Sequence, residues 1–491
     1  MCHSVTTDIC GAGTTVASMA ADVVIASNRG PVSFRRNDDG SLTAARGGGG
    51  LVSAMSGLGA DRGALWVCAA LSDADREVAR AAADHRIDLA GHPVGEPVTM
   101  LPIDARTVDR AYNTIANSTL WYLHHGLTHA EPVHYDQAWR EDWAAYLRFN
   151  DAFAVKIAEA AAPRAKVLAQ DYHLSVLPDL LRRRRPDLRI GHFSHTPWAS
   201  PEQFSTLPDD VARELMTGML GADSLGFHSP RWAREFIGCA VEVLAAEDLG
   251  DAVRYDGRVA HVRVHPLGVD PGPLRARAGE DDVAERHRTL ARELGNLRAI
   301  VRVDRTEPSK NIARGLESVR ELFMRHPDLR GTAVHLALAY PSRQDVEDYR
   351  RYTEHIETRA REINAELATE DWAPIVLSID DDYARSLATL EVADVLLINP
   401  VRDGMNLVAK EAALLTEDAV LVLSREAGAA DQMADSALII DPYDVTGTAD
   451  ALQTALAMPA GERARRHAGL VQAATTLVPS VWLREQLDAL D

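Results

Sequence analysis

Short runs of apolar residues, each ending in polar residues and followed by a helical stretch, recur along most of this chain of 491 residues. A run such as Val23–Ala26 is typical of a strand buried on both faces, and the polar segment Ser27–Arg29 then lies in a loop at its carboxyl end. Alternation of buried strands with helices predicts βαβ units and parallel sheets. The chain is therefore predicted to be an α/β protein.

The strand and helix patterns come in two successive series. The strand candidates are residues 23–26, 167–169, 190–194, 224–227 and 262–264 in the first series, and 299–303, 334–339, 375–377, 395–398, 420–423 and 438–440 in the second. Since 491 residues exceed what one hydrophobic core usually organises, each series predicts a doubly wound domain of its own. The turn-rich segment Pro266–Pro271 separates them.

Four segments are predicted along the chain: a disordered leader at 1–20, an N-terminal Rossmann-like domain at 21–268, a C-terminal Rossmann-like domain at 269–460, and a final helix at 461–491. We expect the two domains to face each other across a cleft, because ligands of doubly wound sheets bind outside the carboxyl ends of the strands. The final helix is open to packing on either domain, including back on the N-terminal one.

The composition limits the classes of partner. A net charge of −20 repels phosphate backbones, so no nucleic-acid partner is expected. No apolar run reaches the roughly 18–20 residues of a membrane-spanning helix, and residues 1–19 lack a secretion signal, so a cytoplasmic protein without a membrane partner is predicted. Neither the four cysteines nor His173, His192 and His195 follow a metal-ligand spacing, so no metal site is predicted.

Two basic residues, Arg305 and Lys310, follow the first strand of the second series and precede a helix. Lysine is rare in this chain, with four among 52 basic residues, which gives Lys310 added weight. Both side chains can reach one anion, and paired cations stabilise a diphosphate leaving group. The alternative is a solvated loop whose ion pair caps the helix.

The segment Arg402–Glu411 follows an apolar strand and opens a helix. Gly404 lets a ligand approach the backbone, and the free amides near Asn406–Val408 favour a phosphate group at the helix N-terminus. Glu411 lies a turn later, where a carboxylate can accept both hydroxyls of a ribose, and Asp403 can hold sugar hydroxyls. The alternative is a capping aspartate and a surface glutamate.

His195 and Asp171 each come at the end of a strand of the first series. At that edge of the sheet both side chains would lie in the predicted cleft. The alternative for His195 is a structural histidine whose hydrogen bonds are satisfied inside the protein.

Beyond these individual signals, a set of motifs resembles the trehalose-6-phosphate synthases in order and content. The resemblance runs from about residue 22 to 480, and the run Arg402–Glu411 matches the signature of that family without change. The other matching segments are Ser27–Arg29, Gly49–Leu51, Leu120–Trp121, Asp171–Leu174, His195–Trp198, Gly221–Asp223, Gly226–His228 and Pro266–Asp270.

The resemblance implies a GT-B fold and transfer of glucose from a nucleoside diphosphate to glucose 6-phosphate with retention, without metal or cofactor. On the donor side it implies that Arg305 and Lys310 bind the diphosphate and that Glu411 binds ribose. It implies that Gly50 and His195 lie against the donor sugar. The residues implied to hold the donor glucose and phosphate are Asp403, Gly404, Met405, Asn406, Leu407 and Val408. On the acceptor side it implies Asp171 at the sugar and Arg29, Tyr112, Trp121 and Arg343 at the sugar and its phosphate.

The acceptor side also departs from the family. Where the family usually has a Gly-Trp-Ser-Gly segment, this chain has Val67–Ser72, which lacks the aromatic residue. The alternatives are therefore a transferase of the same fold that uses another phosphorylated polyol or cyclitol, and a non-catalytic protein that senses sugar phosphates. Formation of a homo-oligomer is left open.

Three consecutive aspartates, Asp380, Asp381 and Asp382, occur where the UDP-glucose enzymes commonly carry a basic residue close to the base. A carboxylate can accept from both N1–H and N2–H₂ of guanine, whereas uracil offers one such donor. We therefore hypothesise GDP-glucose as the preferred donor, with UDP-glucose as the alternative. The competing explanation is that these aspartates only cap a helix.

Overall fold

The computed structural model describes residues 20–46, 64–87, 89, 97–129 and 133–491. These residues form two compact units. Unit 1 takes its described residues from Met1–Leu123, Val133–His265 and Pro479–Asp491, and unit 2 takes its own from His124–Pro132 and Pro266–Val478.

Unit 1 is built on a large sheet and a hairpin. Its strands are β1 (Ala21–Ser27), β2 (Val32–Arg36), β3 (Leu42–Arg46), β4 (Ala64–Ala69), β5 (Arg86–Ile87), β6 (Val98–Leu101), β7 (Ala161–Gln170), β8 (Arg189–Ser194), β9 (Ser224–Phe227), β10 (Glu247–Asp248), β11 (Ala252–Tyr255) and β12 (Arg258–Val264). The large sheet has the order β10-β11-β12-β9-β8-β7-β1-β4-β6-β5, and β2 pairs with β3 in the antiparallel hairpin.

The centre of this sheet is parallel and doubly wound. From β1 the chain moves outward through β4 and β6, then returns to place β7 on the other side of β1 and continues through β8, β9 and β12. Strands β1 and β7 are therefore the switch point, with Val24 opposite Val167 in parallel register. In β1 every residue except Asp22 is buried, as expected for a strand covered on both faces.

Helices surround the sheet of unit 1. They are Asp73–Ala81, Ala105–Asp109, Trp121–His125 at the junction with unit 2, Gln137–Ala160, Leu177–Arg184, Pro201–Phe204, Asp209–Met219, Pro230–Leu244 and Pro479–Asp488, with a π-helix at Arg110–Leu120 and 3₁₀ turns at Ala83–His85 and Tyr172–Leu174. The long helix starts where the Asp136 carboxylate accepts from the amide of Trp139, and it buries an aromatic stripe that includes Trp143 and Tyr146.

Unit 2 contains one parallel sheet. Its strands are β13 (Arg298–Arg305), β14 (Ala333–Tyr340), β15 (Ile375–Ser378), β16 (Val395–Ile398), β17 (Val420–Ser424) and β18 (Leu438–Ile440). They have the order β15-β14-β13-β16-β17-β18, so the switch point lies between β13 and β16. Ligands of such sheets bind at the carboxyl ends of the two strands at the switch point.

Helices cover both faces of the second sheet. They are Pro271–Ala278, Asp281–Leu294, Ile312–Arg325, Glu347–Leu367, Tyr383–Glu391, Leu407–Leu415, Ala430–Met433, Val445–Ala457 and Ala460–Ala474, with 3₁₀ turns at Pro308–Lys310 and Pro327–Leu329. Two separate apolar clusters, one on each face, make up the core of this unit. Among the helices of the described part of the chain, none has the length and apolar content that crossing a membrane requires.

Every strand candidate from the sequence lies within a strand of the structure. The final helix predicted at 461–491 differs, because two helices occur there, Ala460–Ala474 and Pro479–Asp488. Pro479 cannot continue a helix from the preceding turn, because it lacks an amide hydrogen. Leu477 has a φ of 51°, which breaks the helical backbone between the two helices. The first helix belongs to unit 2 and the second to unit 1. The predicted leader up to residue 19 lies outside the described residues.

Candidate active site

The switch point of unit 2 gathers a cluster of charged side chains. Arg305 ends β13, and Lys310 lies on the 3₁₀ turn that follows. The Lys310 Nζ atom lies 2.6 Å from Asp403 Oδ2 and 4.0 Å from Asp304 Oδ1. Because Asp403 follows β16, this ammonium joins the two strand ends of the switch point.

Burial opposes the charges of Lys310 and Asp403, and their mutual attraction overcomes it. Burial alone would raise the pKa of Asp403, but the Lys310 ammonium and the hydrogen bond from Asn406 hold that pKa below its ordinary value. Burial likewise lowers the pKa of Lys310, while Asp403 and Asp304 raise it above the ordinary lysine value. Both groups are therefore charged at neutral pH.

A second carboxylate, Glu307, lies between two arginines. Its Oε1 atom is 3.2 Å from Arg305 Nη1 and 3.6 Å from Arg343 Nη1, and it accepts a hydrogen bond from the Ser342 hydroxyl at 2.9 Å. Burial would raise the pKa of Glu307, but Arg305, Arg343 and Lys310 hold it at about 2. Glu307 was not predicted from the sequence, although it lies in the chain between Arg305 and Lys310, which were.

Arg302, a further residue that sequence reasoning missed, lies beneath the cluster. Its side chain is fully buried and donates to Asp304 Oδ2, to the Lys310 carbonyl oxygen and to Asn399 Oδ1, each at 2.9 Å from Nη2. These bonds fix the backbone of the 3₁₀ turn Pro308–Lys310 against the end of β16. The signal available in the sequence was an arginine inside an otherwise apolar strand.

The loop from Asp403 to Asn406 brings the predicted donor residues to the same place. Asn406 has a φ of 70°, and its side chain both donates to Asp403 Oδ2 at 3.1 Å and accepts from the Ala409 amide at 3.2 Å. It therefore caps the helix Leu407–Leu415, whose first-turn amides have no acceptor inside the helix. Gly404 and Met405 complete the loop, and Met405 is buried.

The close approach of two loops explains why position 428 is a glycine. A Cβ atom on Gly428 would lie 2.0 Å from the carbonyl oxygen of Gly404, so no side chain fits there. The Gly428 amide donates to the Asp403 carbonyl oxygen at 3.1 Å, and the Ala429 amide donates to that of Met405 at 2.8 Å. The backbone of the loop Asp403–Asn406 is thus held by the segment that follows β17.

Two neighbouring ionisable residues on the same helix have shifted pKa values. Burial raises the pKa of Glu411 to about 7, and no described residue forms a hydrogen bond or ion pair with this side chain. Burial lowers the pKa of Lys410 to about 7, and its ammonium donates to the carbonyl oxygen of Leu267 at 2.7 Å and to Gln432 Oε1 at 2.6 Å. Glu411 is thus available for a ligand, and its contact with a ribose stays a prediction.

The three aspartates predicted near the base have different environments. Asp382 caps the helix Tyr383–Glu391 by accepting from the Arg385 amide at 3.0 Å, and it pairs with Arg286 at 2.9 Å. Asp380 lies 3.2 Å from the Arg385 guanidinium. Asp381 is exposed and has no hydrogen bond or ion pair within the described part of the chain. Two of the three carboxylates are therefore occupied by structural contacts.

In unit 1 the neighbouring carboxyl ends of β7 and β8 bring Asp171 and His195 together. Asp171 Oδ1 accepts from the His195 amide at 3.2 Å, and Asp171 has a φ of 72°, a conformation that costs about 1–3 kcal/mol for a residue with a side chain. His195 Nε2 lies 2.9 Å from Gln170 Oε1. Burial, with added repulsion from His228 and His192, keeps the pKa of His195 well below its ordinary value, so the ring is neutral.

The back of His195 is packed against the helix Pro479–Asp488. The ring of Trp482, fully buried, lies 5.6 Å from the His195 ring and 4.8 Å from that of Phe193, centroid to centroid. The Trp482 indole donates to the His265 carbonyl oxygen at 3.0 Å. This indole therefore limits the positions that the imidazole can adopt.

The predicted acceptor residues of unit 1 form a second group. Arg29 donates to the Tyr112 hydroxyl at 3.2 Å, and Tyr112 stacks on His173 at 5.6 Å. Tyr112 lies on the π-helix, a form of helix frequent at functional sites. Trp121 is 3% exposed and packs edge-on against Tyr122, so its accessible area is small.

Two buried polar atoms at the same switch point lack a hydrogen-bond partner among the described residues. They are Oδ1 of Asn28, after β1, and Nε2 of Gln170, at the end of β7. Buried polar groups are normally satisfied, so these two atoms can bind a group that lies outside the described residues. Asn28 belongs to the polar segment predicted after the first strand, whereas no role was predicted for Gln170.

The predicted residues thus fall into two groups, one in each unit. Arg343, predicted with the acceptor residues, belongs to unit 2 and shares Glu307 with Arg305. Gly50 lies outside the described residues. Within the residues that the structure describes, no group of three or more His, Cys, Asp or Glu side chains is arranged to hold a metal ion.

Comparison with known proteins places this geometry in context. The sequence pattern of glycosyltransferase family 20 matches residues 21–491. A trehalose-6-phosphate synthase of Mycobacterium avium is 35% identical over 498 residues, covering 98% of this chain and 97% of that protein. A UDP-forming alpha,alpha-trehalose-phosphate synthase of Schizosaccharomyces pombe is 32% identical over 456 residues, covering 91% and 86%. A UDP-forming relative from Dictyostelium discoideum is 30% identical, and the chain spans 61% of its length.

Two solved structures agree with the architecture. One, described as trehalose-6-phosphate from E. coli bound with UDP-2-fluoro glucose, has a TM-score of 0.83 and 27% identity, covering 95% of this chain and 98% of that one. The other is a UDP-forming alpha,alpha-trehalose-phosphate synthase of Burkholderia xenovorans in complex with glucose-6-phosphate, with a TM-score of 0.81 and 27% identity, covering 95% and 99%.

Proposed function

Because the chain belongs to glycosyltransferase family 20, in which the trehalose-6-phosphate synthases lie, we propose that it transfers glucose from UDP-glucose to glucose 6-phosphate with retention. The products are α,α-trehalose 6-phosphate and UDP. The observation that carries this proposal is the charged cluster at the switch point of unit 2, where Arg305 keeps 44% of its side chain exposed although Glu307 and Lys310 beside it are buried. A ligand anion can therefore reach its guanidinium.

The charge of this cluster favours a diphosphate. Four cationic and three anionic side chains meet there, leaving one net positive charge in a protein whose overall charge is −20. The cations are Arg302, Arg305, Lys310 and Arg343, and the anions are Asp304, Glu307 and Asp403. Negative charge grows on UDP as the glycosidic bond breaks, and fixed cations stabilise that charge without reorganising.

UDP-glucose replaces GDP-glucose as the donor in this proposal. Of the three aspartates on which the GDP-glucose hypothesis rested, Asp380 and Asp382 are engaged by Arg385 and Arg286, and Asp381 alone is not. The relatives from S. pombe and D. discoideum are named as UDP-forming enzymes, which supports uracil as the base. Glu411, without a partner among the described residues, is assigned to the ribose hydroxyls.

Glucose 6-phosphate is proposed as the acceptor on the evidence of unit 1. Arg29 and Tyr112 form a hydrogen-bonded pair that offers a guanidinium and a hydroxyl to a phosphate. Asp171 supplies a carboxylate for sugar hydroxyls. His195 is neutral, so it acts as a hydrogen-bonding group at the donor sugar and not as a source of positive charge.

The experiment measures release of nucleoside diphosphate by the purified chain with glucose 6-phosphate and either UDP-glucose or GDP-glucose, and identifies the sugar product by mass and by linkage. We expect UDP release and trehalose 6-phosphate, and at least a 100-fold lower kcat in Arg305→Ala. The matched control is Arg320→Ala, since Arg320 is a half-buried arginine of the same unit that pairs with the exposed Glu366.

Other outcomes would separate the alternatives. A higher kcat/KM with GDP-glucose would restore the original donor hypothesis. Turnover with a phosphorylated polyol or cyclitol and not with glucose 6-phosphate would favour a different acceptor, in line with the altered segment Val67–Ser72. Binding of both substrates without any turnover would favour a sensor of sugar phosphates.

A further inference from the structure

Glu307 is a buried carboxylate that contacts side chains from two different strand ends. The residue follows β13, whose last residue is Arg305, whereas Ser342 and Arg343 follow β14. One oxygen, Oε1, lies 3.2 Å from Arg305 Nη1, 3.6 Å from Arg343 Nη1 and 2.9 Å from the Ser342 hydroxyl. The side chain of Glu307 is 1% exposed, so water does not compete for these contacts.

The two arginines differ in how firmly they are held. Arg343 is 12% exposed, donates to the Tyr349 hydroxyl at 2.6 Å, and lies 5.3 Å from the centre of the Tyr349 ring. Arg305 is 44% exposed, and Glu307 is the carboxylate that it pairs with among the described residues. Glu307 therefore connects an arginine fixed by several contacts to one that is exposed to solvent.

An exposed arginine without a fixed partner samples many rotamers. Ordering such a side chain when it meets a ligand costs conformational entropy, and a misplaced guanidinium binds the ligand less well. A misplacement of about 1 Å in a catalytic site costs about 100-fold in rate. A carboxylate that binds one edge of the guanidinium reduces both costs while it leaves the remaining N–H donors for a ligand.

We propose that Glu307 is a positioning residue, whose carboxylate holds the guanidinium groups of Arg305 and Arg343 as an aligned pair before a phosphate-bearing substrate binds. The inference rests on the proposed function in so far as Arg305 stabilises a departing diphosphate. It adds that alignment of this cation depends on a buried anion, even though that anion repels the ligand.

Position and charge have opposite effects, which makes the role testable. Glu307→Gln removes one negative charge, so the net charge of the cluster changes from one positive to two positive and attraction for an anion increases. The same change removes the ion pair that aligns Arg305. We therefore expect a kcat about 10- to 100-fold lower, together with an unchanged or lower Kd for inorganic pyrophosphate. A residue needed only for folding would weaken pyrophosphate binding as well.

The experiment compares wild type, Glu307→Gln, Glu307→Asp and the control Glu366→Gln, whose carboxylate pairs with Arg320 on the surface of the same unit. It measures kcat and KM for UDP-glucose, Kd for pyrophosphate by calorimetry, and the cooperativity of thermal unfolding. Glu307→Asp keeps the charge, so its kcat should lie between those of wild type and Glu307→Gln. Wild-type kcat in a folded Glu307→Gln variant would overturn the proposal, and so would equal loss of kcat and pyrophosphate affinity.

A double-mutant cycle tests the inference without turnover. Arg305→Ala should cost less pyrophosphate affinity in the Glu307→Gln background than in wild type, by about 5-fold or more. An unaligned Arg305 contributes less to that affinity, and the added net positive charge of Glu307→Gln offsets the loss in the single variant. Equal costs in the two backgrounds would refute the positioning role. If wild type shows no turnover with UDP-glucose and glucose 6-phosphate, the proposed function fails, while the cycle still decides the role of Glu307.

Discussion

Lys310 and Asp403 form an ion pair of 2.6 Å that joins the turn after β13 to the loop after β16. The side chains are 11% and 15% exposed, so their charges depend on each other and hardly at all on water. Both residues were predicted to bind the donor. The same pair therefore holds the two halves of the candidate donor site together.

Asp403→Asn should lower the free energy of unfolding by about 3 kcal/mol, because it leaves a mostly buried ammonium whose nearest carboxylate is Asp304 at 4.0 Å. Urea denaturation would measure this, and kcat should fall at least 100-fold in parallel. Glu366→Gln breaks an exposed ion pair of unit 2 and should cost less than about 1 kcal/mol. Equal effects of the two substitutions would show that the Lys310–Asp403 pair is not a structural link.

Glu411 should make donor affinity depend on pH. Its pKa of about 7 means that it is protonated at pH 6 and ionised at pH 8. An ionised carboxylate accepts hydroxyl hydrogen bonds more strongly than a neutral acid. The KM for UDP-glucose should therefore fall as pH rises through about 7, and Glu411→Gln should show a flatter pH profile with a higher KM. An unchanged profile in that variant would remove Glu411 from the ribose site.

Because of Lys410, the free energy of unfolding should increase as the pH rises above about 7. Its pKa is about 7 in the folded chain and near the ordinary value of 10.5 when unfolded, so between those values the unfolded chain binds more protons. Stability linked to this group therefore rises with pH over that window, by an amount on the order of a few kcal/mol. The difference in unfolding free energy between wild type and Lys410→Met, measured in urea at pH 6.5, 7.5 and 8.5, isolates this contribution. Parallel curves for the two proteins would contradict the prediction.

Gly315 should not tolerate alanine, although it lies within the helix Ile312–Arg325. A Cβ atom there would lie 2.2 Å from Arg302 Nη1, and Arg302 is held by Asp304, Asn399 and the Lys310 carbonyl group. We expect a loss of about 1–3 kcal/mol in unfolding free energy and a lower kcat.

Gly461→Ala is the matched control for that substitution. Gly461 is also helical, but its Cβ would meet no atom within 4 Å. Alanine there should be neutral or stabilising by up to about 1 kcal/mol, because it lowers the entropy of the unfolded chain. Similar stability of the two variants in chemical denaturation would mean that Arg302 can move freely.

The family and the α/β GT-B fold class predicted from the motifs are confirmed by the comparisons. Buried parallel strands such as β13 and β16 were predictable because they are continuous apolar runs. The hairpin of β2 and β3 was not predicted, since its strands are short and carry arginine at both ends of the pairing. The break at Pro479 was also missed, because the apolar pattern alone resembles one helix.

Some residues of the candidate site could likewise be predicted from the sequence, and others could not. Arg305, Lys310 and Asp403 could be found because strand ends in doubly wound sheets meet at a known edge. Glu307 could not, because its significance depends on Arg343, which is 36 residues away in sequence and follows another strand. The roles assigned to the individual residues, and to acceptor binding in one unit and donor binding in the other, stay predictions.

Unit 1 depends on the last residues of the chain for its completion. Trp482 fills the space beside Phe193 and His195, and Lys166 of β7 binds the Leu487 carbonyl oxygen at 2.9 Å and Asp491 at 2.5 Å. During synthesis at about 5–20 residues per second, residues up to His265 therefore wait on the order of ten to forty seconds for this helix. Limited proteolysis of the released chain truncated after Val478 should cleave unit 1 and spare unit 2. The part of the chain that is made first is the part that finishes folding last.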